Sequence, residues 1–196
     1  MKSPKRCTWP LKGNELYLEY HDKEWGVPAW DDATQFEFLI LEGAQAGLSW
    51  STVLNKREGY RAAFAGFDPD KIARFGKREI TKLMGNEGII RNRQKIEAAI
   101  TNARLFLDFK GNDGFATYMW SFVGGKPIVN KHRETGAVPA TSKESDALSK
   151  DLKKRGFKFV GSTIIYAHMQ ATGMVNDHLT SCFRYKECVA LGRRVT

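Results

Sequence analysis

A glutamate set among apolar residues is the most chemically suggestive feature of the sequence. Glu42 lies within the stretch Phe36–Trp50, FEFLILEGAQAGLSW, between Leu41 and Gly43. A carboxylate in apolar surroundings is costly unless something pairs with it, so this one needs a partner, and that partner can be a ligand. The alternative is that Glu42 faces solvent on an amphipathic helix, as most glutamates do. The rest of the chain favours the first interpretation.

Aromatic residues flank this stretch. Tyr17, Tyr20 and His21 share helical spacing, so their rings are expected to project from neighbouring faces of one helix. Aromatic residues at helical spacing commonly belong to a core. In a basic chain they also suit a pocket that stacks a nucleobase. The aromatic residues of the N-terminal segment are Trp9, Tyr17, Tyr20, Trp25 and Trp30, and Trp50 ends the stretch that contains Glu42.

Cysteine and histidine occur near both ends of the chain. His178 and Cys182 have the i, i+4 spacing of a helix, which places an imidazole and a thiolate on one face. Cys7 and His21 can supply two further ligands, with Cys188 as an alternative. A Cys₂His₂ set is tetrahedral and closed, so we expect a structural site that joins the two ends of the domain. For each residue the alternative is a buried thiol or a hydrogen-bonded imidazole. The zinc-deaminase pattern of His-x-Glu with Pro-Cys-x-x-Cys is absent.

A basic segment, 152–163, is predicted to connect two helices. Gly156 permits the left-handed turn that ends the first helix, and Gly161 and Ser162 leave free amides at the start of the second. Such amides favour an anion, so this hairpin is a candidate phosphate clamp. The alternative is an ordinary hairpin with a solvated basic face. The surrounding cations are Lys153, Lys154, Arg155 and Lys158; a second, weaker candidate contains Arg91, Arg93 and Lys95.

The composition agrees with a polyanionic partner. The 196 residues include 31 Lys+Arg and 22 Asp+Glu, a formal net charge of +9. Nucleic acid is the leading candidate, with an anionic membrane surface or plain solubility as alternatives. We find no signal-peptide pattern and no apolar run of ~18 residues, and we expect a cytosolic, soluble protein with a single domain over 1–196.

The helical patterns predict an all-α fold with short connections. Asp31 or Asp32 is the expected cap of the helix that contains Phe36, and Ala46-Gly47-Leu48 is expected to end it. The segment 124–139 is predicted to be a loop, and no strand pattern persists. Further helices are predicted at 51–65, 71–75, 78–84, through 96–107, at 115–123, and from a Thr141-x-x-Glu144 capping box to Lys154 or Arg155.

Several long motifs give the chain a family resemblance. The strings YHDKEWGVP, LEGAQAGLSW, GIIRNRQKI, SDALSKDLKKRGFKFVG and VNDH resemble the DNA-3-methyladenine glycosylase I family of the helix-hairpin-helix superfamily. The resemblance extends from near Cys7 to Cys182, and the tail after about Phe183 is left as a candidate for disorder. It implies an all-α, monomeric enzyme that flips 3-methyladenine out of alkylated duplex DNA, hydrolyses its N-glycosidic bond and releases the free base.

The resemblance also implies roles for individual residues. Glu42 takes the place of the acid that contacts the methylated base, and Ala46-Gly47-Leu48 would fill the gap that the flipped base leaves. The pocket rings fall on Tyr17, Tyr20, Trp25 and Trp50, with Trp9 as a further member. DNA binding falls on Gly47, Leu48, Lys154, Arg155, Gly156, Lys158, Gly161 and Ser162. The family's structural Zn²⁺ falls on Cys7, His21, His178 and Cys182.

One residue departs from the superfamily pattern. Most of its members place an aspartate after the second helix of the hairpin to support the chemistry. Asp177 is the nearest candidate, but it adjoins His178 and is interpreted as a helix cap or as a partner of the metal site. No lysine is placed as a Schiff-base nucleophile, so we predict no strand cleavage. The alternative function is a non-catalytic helix-hairpin-helix protein that only binds DNA.

Overall fold

Helices account for most of the protein in a computed structural model that describes residues 4–110 and 113–193. The α-helices are α1 (Glu15–Lys23), α2 (Asp32–Gln45), α3 (Trp50–Leu54), α4 (Arg57–Ala63), α5 (Pro69–Ile72), α6 (Lys77–Met84), α7 (Arg93–Leu107), α8 (Phe115–Ser121), α9 (Lys143–Lys154), α10 (Ser162–Ala171) and α11 (Phe183–Gly192). Short 3₁₀ helices occur at Pro10–Lys12, Ala65–Phe67 and Thr135–Ala137. In the described ranges no helix has both the length and the apolar character needed to cross a membrane.

Helix α2 lies at the centre of the fold. Its cap is Asp31, one of the two predicted candidates, whose carboxylate accepts a 2.7 Å hydrogen bond from the Thr34 amide. Apolar residues occupy more than one face, and Phe36 and Leu41 are fully buried. A helix with this pattern has to be covered on several sides. It packs against α3, α7, α8 and α10, so the position of Glu42 is fixed by the core.

The predominantly helical fold is as predicted, but the prediction that the chain contains no strands was wrong. Strands β1 (Ile128–Val129) and β2 (Val175–Asn176) pair in parallel, with Ile128 opposite Val175. β1 lies within the segment 124–139 that was predicted to be loop. Strands of two residues are too short to produce an alternating pattern, so the sequence holds no signal for them.

Several predicted boundaries also differ. The helix predicted at 51–65 is interrupted between α3 and α4, where the exposed Asn55 side chain accepts a hydrogen bond from Asn14. The capping box of α9 is formed by Ser142 and Ser145 rather than by Thr141 and Glu144. The prediction of a disordered tail after about Phe183 was also wrong, because residues 183–192 form α11. Residues 194–196 of the tail lie outside the described ranges.

The predicted connection between two helices joins α9 to α10. Gly156 has φ +99°, the left-handed conformation that ends α9 without a side-chain clash. Phe157 and Val160 of the connection are buried, while Lys154, Arg155 and Lys158 are exposed. The turn is therefore anchored from inside and presents cations outward.

Candidate active site

Glu42 and the predicted aromatic residues line one cavity of about 210 Å³. The cavity lies between the N-terminal segment with α1 on one side and α2 with α10 on the other. All six side chains of the predicted base pocket are therefore brought together. The full lining is Cys7, Trp9, Tyr17, Tyr20, Trp25, Glu42, Gln45, Trp50, Thr135, Val138, Ala167, Gln170, Asp177 and Leu179.

The Glu42 carboxyl group is buried, with 3% of the residue exposed. In the described part of the chain, no donor lies within hydrogen-bond distance of its Oε2 atom, and Trp50 Nε1 is likewise buried without an acceptor. Loss of hydration raises the pKa of Glu42 to about 8. A buried carboxyl without a protein partner is costly, so both groups are suited to a ligand that supplies the missing hydrogen bonds.

Five aromatic side chains line the cavity. The Trp9 centroid lies 4.9 Å from that of Tyr17 and 5.1 Å from that of Trp25, both with edge-to-face geometry. Tyr20 lies 5.2 Å from Trp50. Burial, with a smaller contribution from the nearby Glu42 carboxylate, raises the pKa values of Tyr17 and Tyr20. Both phenols therefore remain neutral and can serve as hydrogen-bond donors.

The four predicted metal ligands also converge, and all four are buried. Their ligand atoms lie within 4.8 Å of one another. Cys182 Sγ is 3.5 Å from His21 Nε2 and 3.6 Å from His178 Nδ1, which is 3.7 Å from Cys7 Sγ. Tetrahedral zinc with its usual bond lengths separates sulfur and nitrogen ligands by ~3.6 Å. The spacing and the donor set therefore fit a closed metal site.

The remaining imidazole nitrogens support the same interpretation. His21 Nδ1 is 2.8 Å from a carboxylate oxygen of Asp22, and His178 Nε2 is 2.9 Å from the carbonyl oxygen of Trp25. Each acceptor holds the proton on that nitrogen and leaves the other free to bind metal. Arg6 forms an ion pair with Asp22 at 2.7 Å, which orients the carboxylate. The predicted helical conformation of 178–182 is wrong, because a turn places His178 and Cys182 side by side.

Asp177 has a different role from the one predicted. Its carboxylate neither caps a helix nor contacts the metal ligands; it is buried in the cavity wall. Oδ1 accepts hydrogen bonds from Asn130 at 2.7 Å and lies 3.1 Å from His132 Nε2. Oδ2 accepts from Tyr166 at 2.7 Å and from Gln170 at 2.8 Å. With four partners, Asp177 organises this wall of the cavity.

The turn after α2 presents an apolar tip beside the cavity. Gly47 has φ +76°, and Leu48 is 42% exposed. A second cavity of about 210 Å³ lies between this turn and the start of α10, and Glu42 lines both cavities. The cavity beside the Leu48 turn and the aromatic cavity are therefore adjacent.

Two of the side chains predicted to contact phosphates, Arg155 and Lys95, already have partners within the protein. Arg155 Nε donates to Asp151 at 2.7 Å, and its guanidinium lies 4.8 Å from the centre of the Tyr118 ring. Lys95 was wrongly predicted to face the DNA backbone, because its Nζ atom donates to two backbone carbonyls at the end of α2. Their charge is therefore less available to a polyanion than that of Lys154 or Lys158.

The sequence analysis missed those cavity residues whose side chains do not suggest catalysis or ligand binding. Gln45 lies one turn after Glu42, so helical spacing from a predicted residue could have found it. Ala167 and Gln170 lie one turn apart on α10, where no pocket residue was predicted. Thr135 comes from a short 3₁₀ helix, and Val138 and Leu179 come from irregular segments, so none of the three had such a signal.

The fold is predominantly helical, and its cavity places aromatic rings beside a buried acid, an arrangement suited to a flat ligand. Residues 9–185 match the family model described as methyladenine glycosylase, and the chain belongs to that family. The family resemblance drawn from the sequence motifs is therefore confirmed.

Individual relatives are similar over nearly their whole length. The DNA-3-methyladenine glycosylase 1 of Escherichia coli (strain K12) is 51% identical over 181 residues, which cover 92% of this chain and 96% of the relative. A crystal structure of 3-methyladenine DNA glycosylase I superimposes with a TM-score of 0.89 at 52% identity, over 91% of this chain and 98% of the other. A variant 3-methyladenine DNA glycosylase I in complex with 3-methyladenine gives a TM-score of 0.88 at 35% identity, over 92% and 97% of the two chains.

Proposed function

We propose that this protein excises 3-methyladenine from alkylated duplex DNA by hydrolysing the N-glycosidic bond. The observation that supports this most strongly is the Glu42 Oε2 atom, which lies in an aromatic cavity and has no hydrogen-bond donor in the described part of the chain. The relatives of the chain are named for this reaction. A protein that only held the DNA backbone would have no use for such a cavity.

The cavity suits a flat, cationic base. Methylation at N3 leaves the purine in DNA positively charged, and aromatic faces such as those of Tyr20 and Trp50 attract a cation through their π electrons. Glu42 is the only carboxyl group besides Asp177 among the described lining residues, and Asp177 is already saturated with hydrogen bonds. An opposite charge nearby favours ionisation of a carboxyl group. Glu42 therefore loses its proton when the cationic base enters and pairs with it.

Bond cleavage needs little acid catalysis in this reaction. Water forms a bond to C1′ of the sugar, the C1′–N9 bond breaks, and its electron pair neutralises the charged purine, while the water gives up a proton to solvent. Glu42 recognises the base and stabilises its charge until the bond breaks. No lysine occurs among the described residues that line the cavity, so none is placed as a Schiff-base nucleophile and the product is an intact strand with an abasic site.

The hairpin and the turn supply the DNA contacts in this proposal. The exposed Lys154 and Lys158 and the free amides of Gly161 and Ser162 hold phosphates in a helix-hairpin-helix arrangement. Leu48 enters the base stack and occupies the gap, which offsets part of the few kcal/mol that extrusion of a base costs. The four buried residues Cys7, His21, His178 and Cys182 would hold a structural Zn²⁺, which would keep the adjoining cavity wall in place. We infer that the protein acts as a monomer in the cytoplasm.

The test is release of free base from duplex DNA treated with dimethyl sulfate. Wild-type protein should release 3-methyladenine and little 7-methylguanine, with both bases resolved by chromatography. Borohydride added during the reaction should trap no covalent adduct. If the folded, metal-loaded protein binds the duplex but releases no base, the chain is a DNA-binding relative without the chemistry.

Lys158→Ala should lower the affinity for duplex DNA by a similar factor for every DNA sequence. Lys158 is exposed and forms no ion pair in the described part of the chain, so its charge is available to a phosphate. The slope of log K against log salt should fall by about one, as expected for one lost phosphate contact. Fluorescence anisotropy at several salt concentrations measures this. Arg155→Ala is the matched comparison: it should change the slope less, because Asp151 already neutralises that charge.

A further inference from the structure

Two side chains of α7 hold the backbone of the two segments proposed to meet DNA. Lys95 Nζ donates to the carbonyl oxygens of Ala44 at 2.8 Å and Ala46 at 2.6 Å, where the chain leaves α2 for the Leu48 turn. Asn102 Nδ2 donates to the carbonyl oxygen of Lys158 at 3.0 Å. Asn102 Oδ1 accepts from the amide of the same residue at 2.8 Å.

Both contacts satisfy groups that secondary structure leaves unpaired. The last carbonyls of a helix have no partner within it, and the negative end of the helix dipole favours a cation. Lys95 meets both needs at the end of α2, and burial lowers the pKa of its ammonium group. Asn102 is 3% exposed and pairs with both backbone groups of one hairpin residue. Loss of either side chain would leave polar backbone groups without partners.

The two residues lie on the same face of a rigid helix. They are seven positions apart, or about two turns, which corresponds to roughly 10 Å along the axis. Helix α7 is capped by the Asn92 side chain and packs against α2, α5 and α6. The backbones of α2 and the hairpin are also in close contact, since a Cβ at Gly43 would lie 3.4 Å from Phe159 Cβ. One helix therefore sets the separation of the turn and the hairpin.

We propose that Lys95 and Asn102 are positioning residues that hold the Leu48 turn and the hairpin at a fixed separation. A duplex whose phosphates bind the hairpin then meets Leu48 at the base to be extruded. This inference rests on the proposed function. It assigns separate tasks: Lys95 fixes the tip that replaces the base, and Asn102 fixes the phosphate-binding turn.

Lys95→Met should lower kcat on duplex substrate by about ten- to a hundredfold, the size of effect that misplacement of a reacting group by about 1 Å produces. Duplex affinity and affinity for free 3-methyladenine should change less than about threefold, because the hairpin and the cavity remain intact. The loss should be smaller for a 3-methyladenine in single-stranded DNA, where no stack has to be opened. Lys95→Arg, which keeps a cation and several donors, should restore most of the activity.

Asn102→Ala should have the complementary effect. The hairpin turn loses its anchor, so KM for duplex rises and kcat changes less. Asn102→Asp keeps the acceptor for the Lys158 amide and serves as a milder variant if the alanine variant folds poorly. Lys82→Met is the control for loss of one lysine, since Lys82 is exposed on α6.

Amide hydrogen exchange without DNA separates this inference from the proposed function. Lys95→Met should speed exchange at the Leu48 amide, and Asn102→Ala should speed it at the Lys158 amide, while Lys82→Met changes neither. This result supports the positioning role even if the wild-type protein releases no base. Unchanged exchange in both variants, or an equal loss of kcat on single-stranded and duplex substrates in Lys95→Met, would overturn it.

Discussion

Replacement of Glu42 by glutamine should abolish most base excision and at the same time stabilise the protein at alkaline pH. The pKa of Glu42 is raised from 4.5 to about 8 in the folded protein by burial. Between these values the folded protein keeps a proton that the unfolded chain has released. The free energy of unfolding therefore falls as pH rises through this window, by up to about 5 kcal/mol. Glutamine does not ionise, so Glu42→Gln should lose this dependence.

The measurement is urea unfolding of both proteins at pH 5 and pH 9. The two should have similar stability at pH 5, where Glu42 is protonated, and the variant should be more stable by a few kcal/mol at pH 9. Glu37→Gln is the matched control on the same helix. Glu37 forms ion pairs with Arg57 and Arg61, so its replacement should destabilise the protein at both pH values.

The predicted loss of base excision in Glu42→Gln also follows from the burial of Glu42. Loss of the anion should reduce excision by roughly 10²- to 10³-fold, as removal of one charge-stabilising group in a desolvated site does. Affinity for 3-methyladenine should fall as well, because Glu42 acts on the base. If Glu42→Gln bound 3-methyladenine normally and yet lost all excision, the carboxylate would be acting on the water instead. A stability gain combined with an activity loss is typical of a residue retained for function.

Local rules determine only part of the cavity. Tyr17 and Tyr20 project together through helical spacing, and Glu42 is buried because the apolar positions of α2 surround it on several faces. The hairpin was predictable for a similar reason, since Gly156 is needed for a left-handed turn. The shared face of the two tyrosines and the place of the turn therefore follow from periodicity and turn chemistry, whereas the pocket and DNA-binding roles were implied by the family resemblance.

Contacts between distant segments left no such signal. The partners of Asp177 come from the segment around Asn130 and from α10, so its role could not be found from spacing. Lys95 resembles any exposed cation in the sequence, and only the packing of α7 against α2 brings it to two carbonyls. The residues of the proposed metal site were found by residue type, but spacing gave no sign of the turn at 178–182, in which the Thr180 amide donates to the carbonyl oxygen of His132.

Removal of metal should cost much of the stability and the base-binding cavity together. The proposed ligands come from segments near both ends of the chain. A bound ion therefore links these segments and closes a loop that contains most of the domain. Its binding free energy contributes directly to the stability of the fold. Chelation, or Cys182→Ala, should lower Tm by about 10–20 °C, which corresponds to roughly 5 kcal/mol in a protein of this size. Metal analysis should give one zinc per chain in the wild type and none in the variant.

Cys188→Ala provides the matched control, because Cys188 is also a buried thiol near the C-terminus but lies outside the ligand cluster. It should keep the metal and lose only about 1 kcal/mol from the smaller side chain. The rings of Trp9 and Trp25 pack at 5.3 Å from His21 and 4.6 Å from His178, respectively. Loss of the ion should therefore make the Trp9 and Trp25 side of the cavity less ordered. Affinity for 3-methyladenine should then fall in Cys182→Ala but not in Cys188→Ala. Retention of zinc by Cys182→Ala and its loss from Cys188→Ala would instead make Cys188 the fourth ligand.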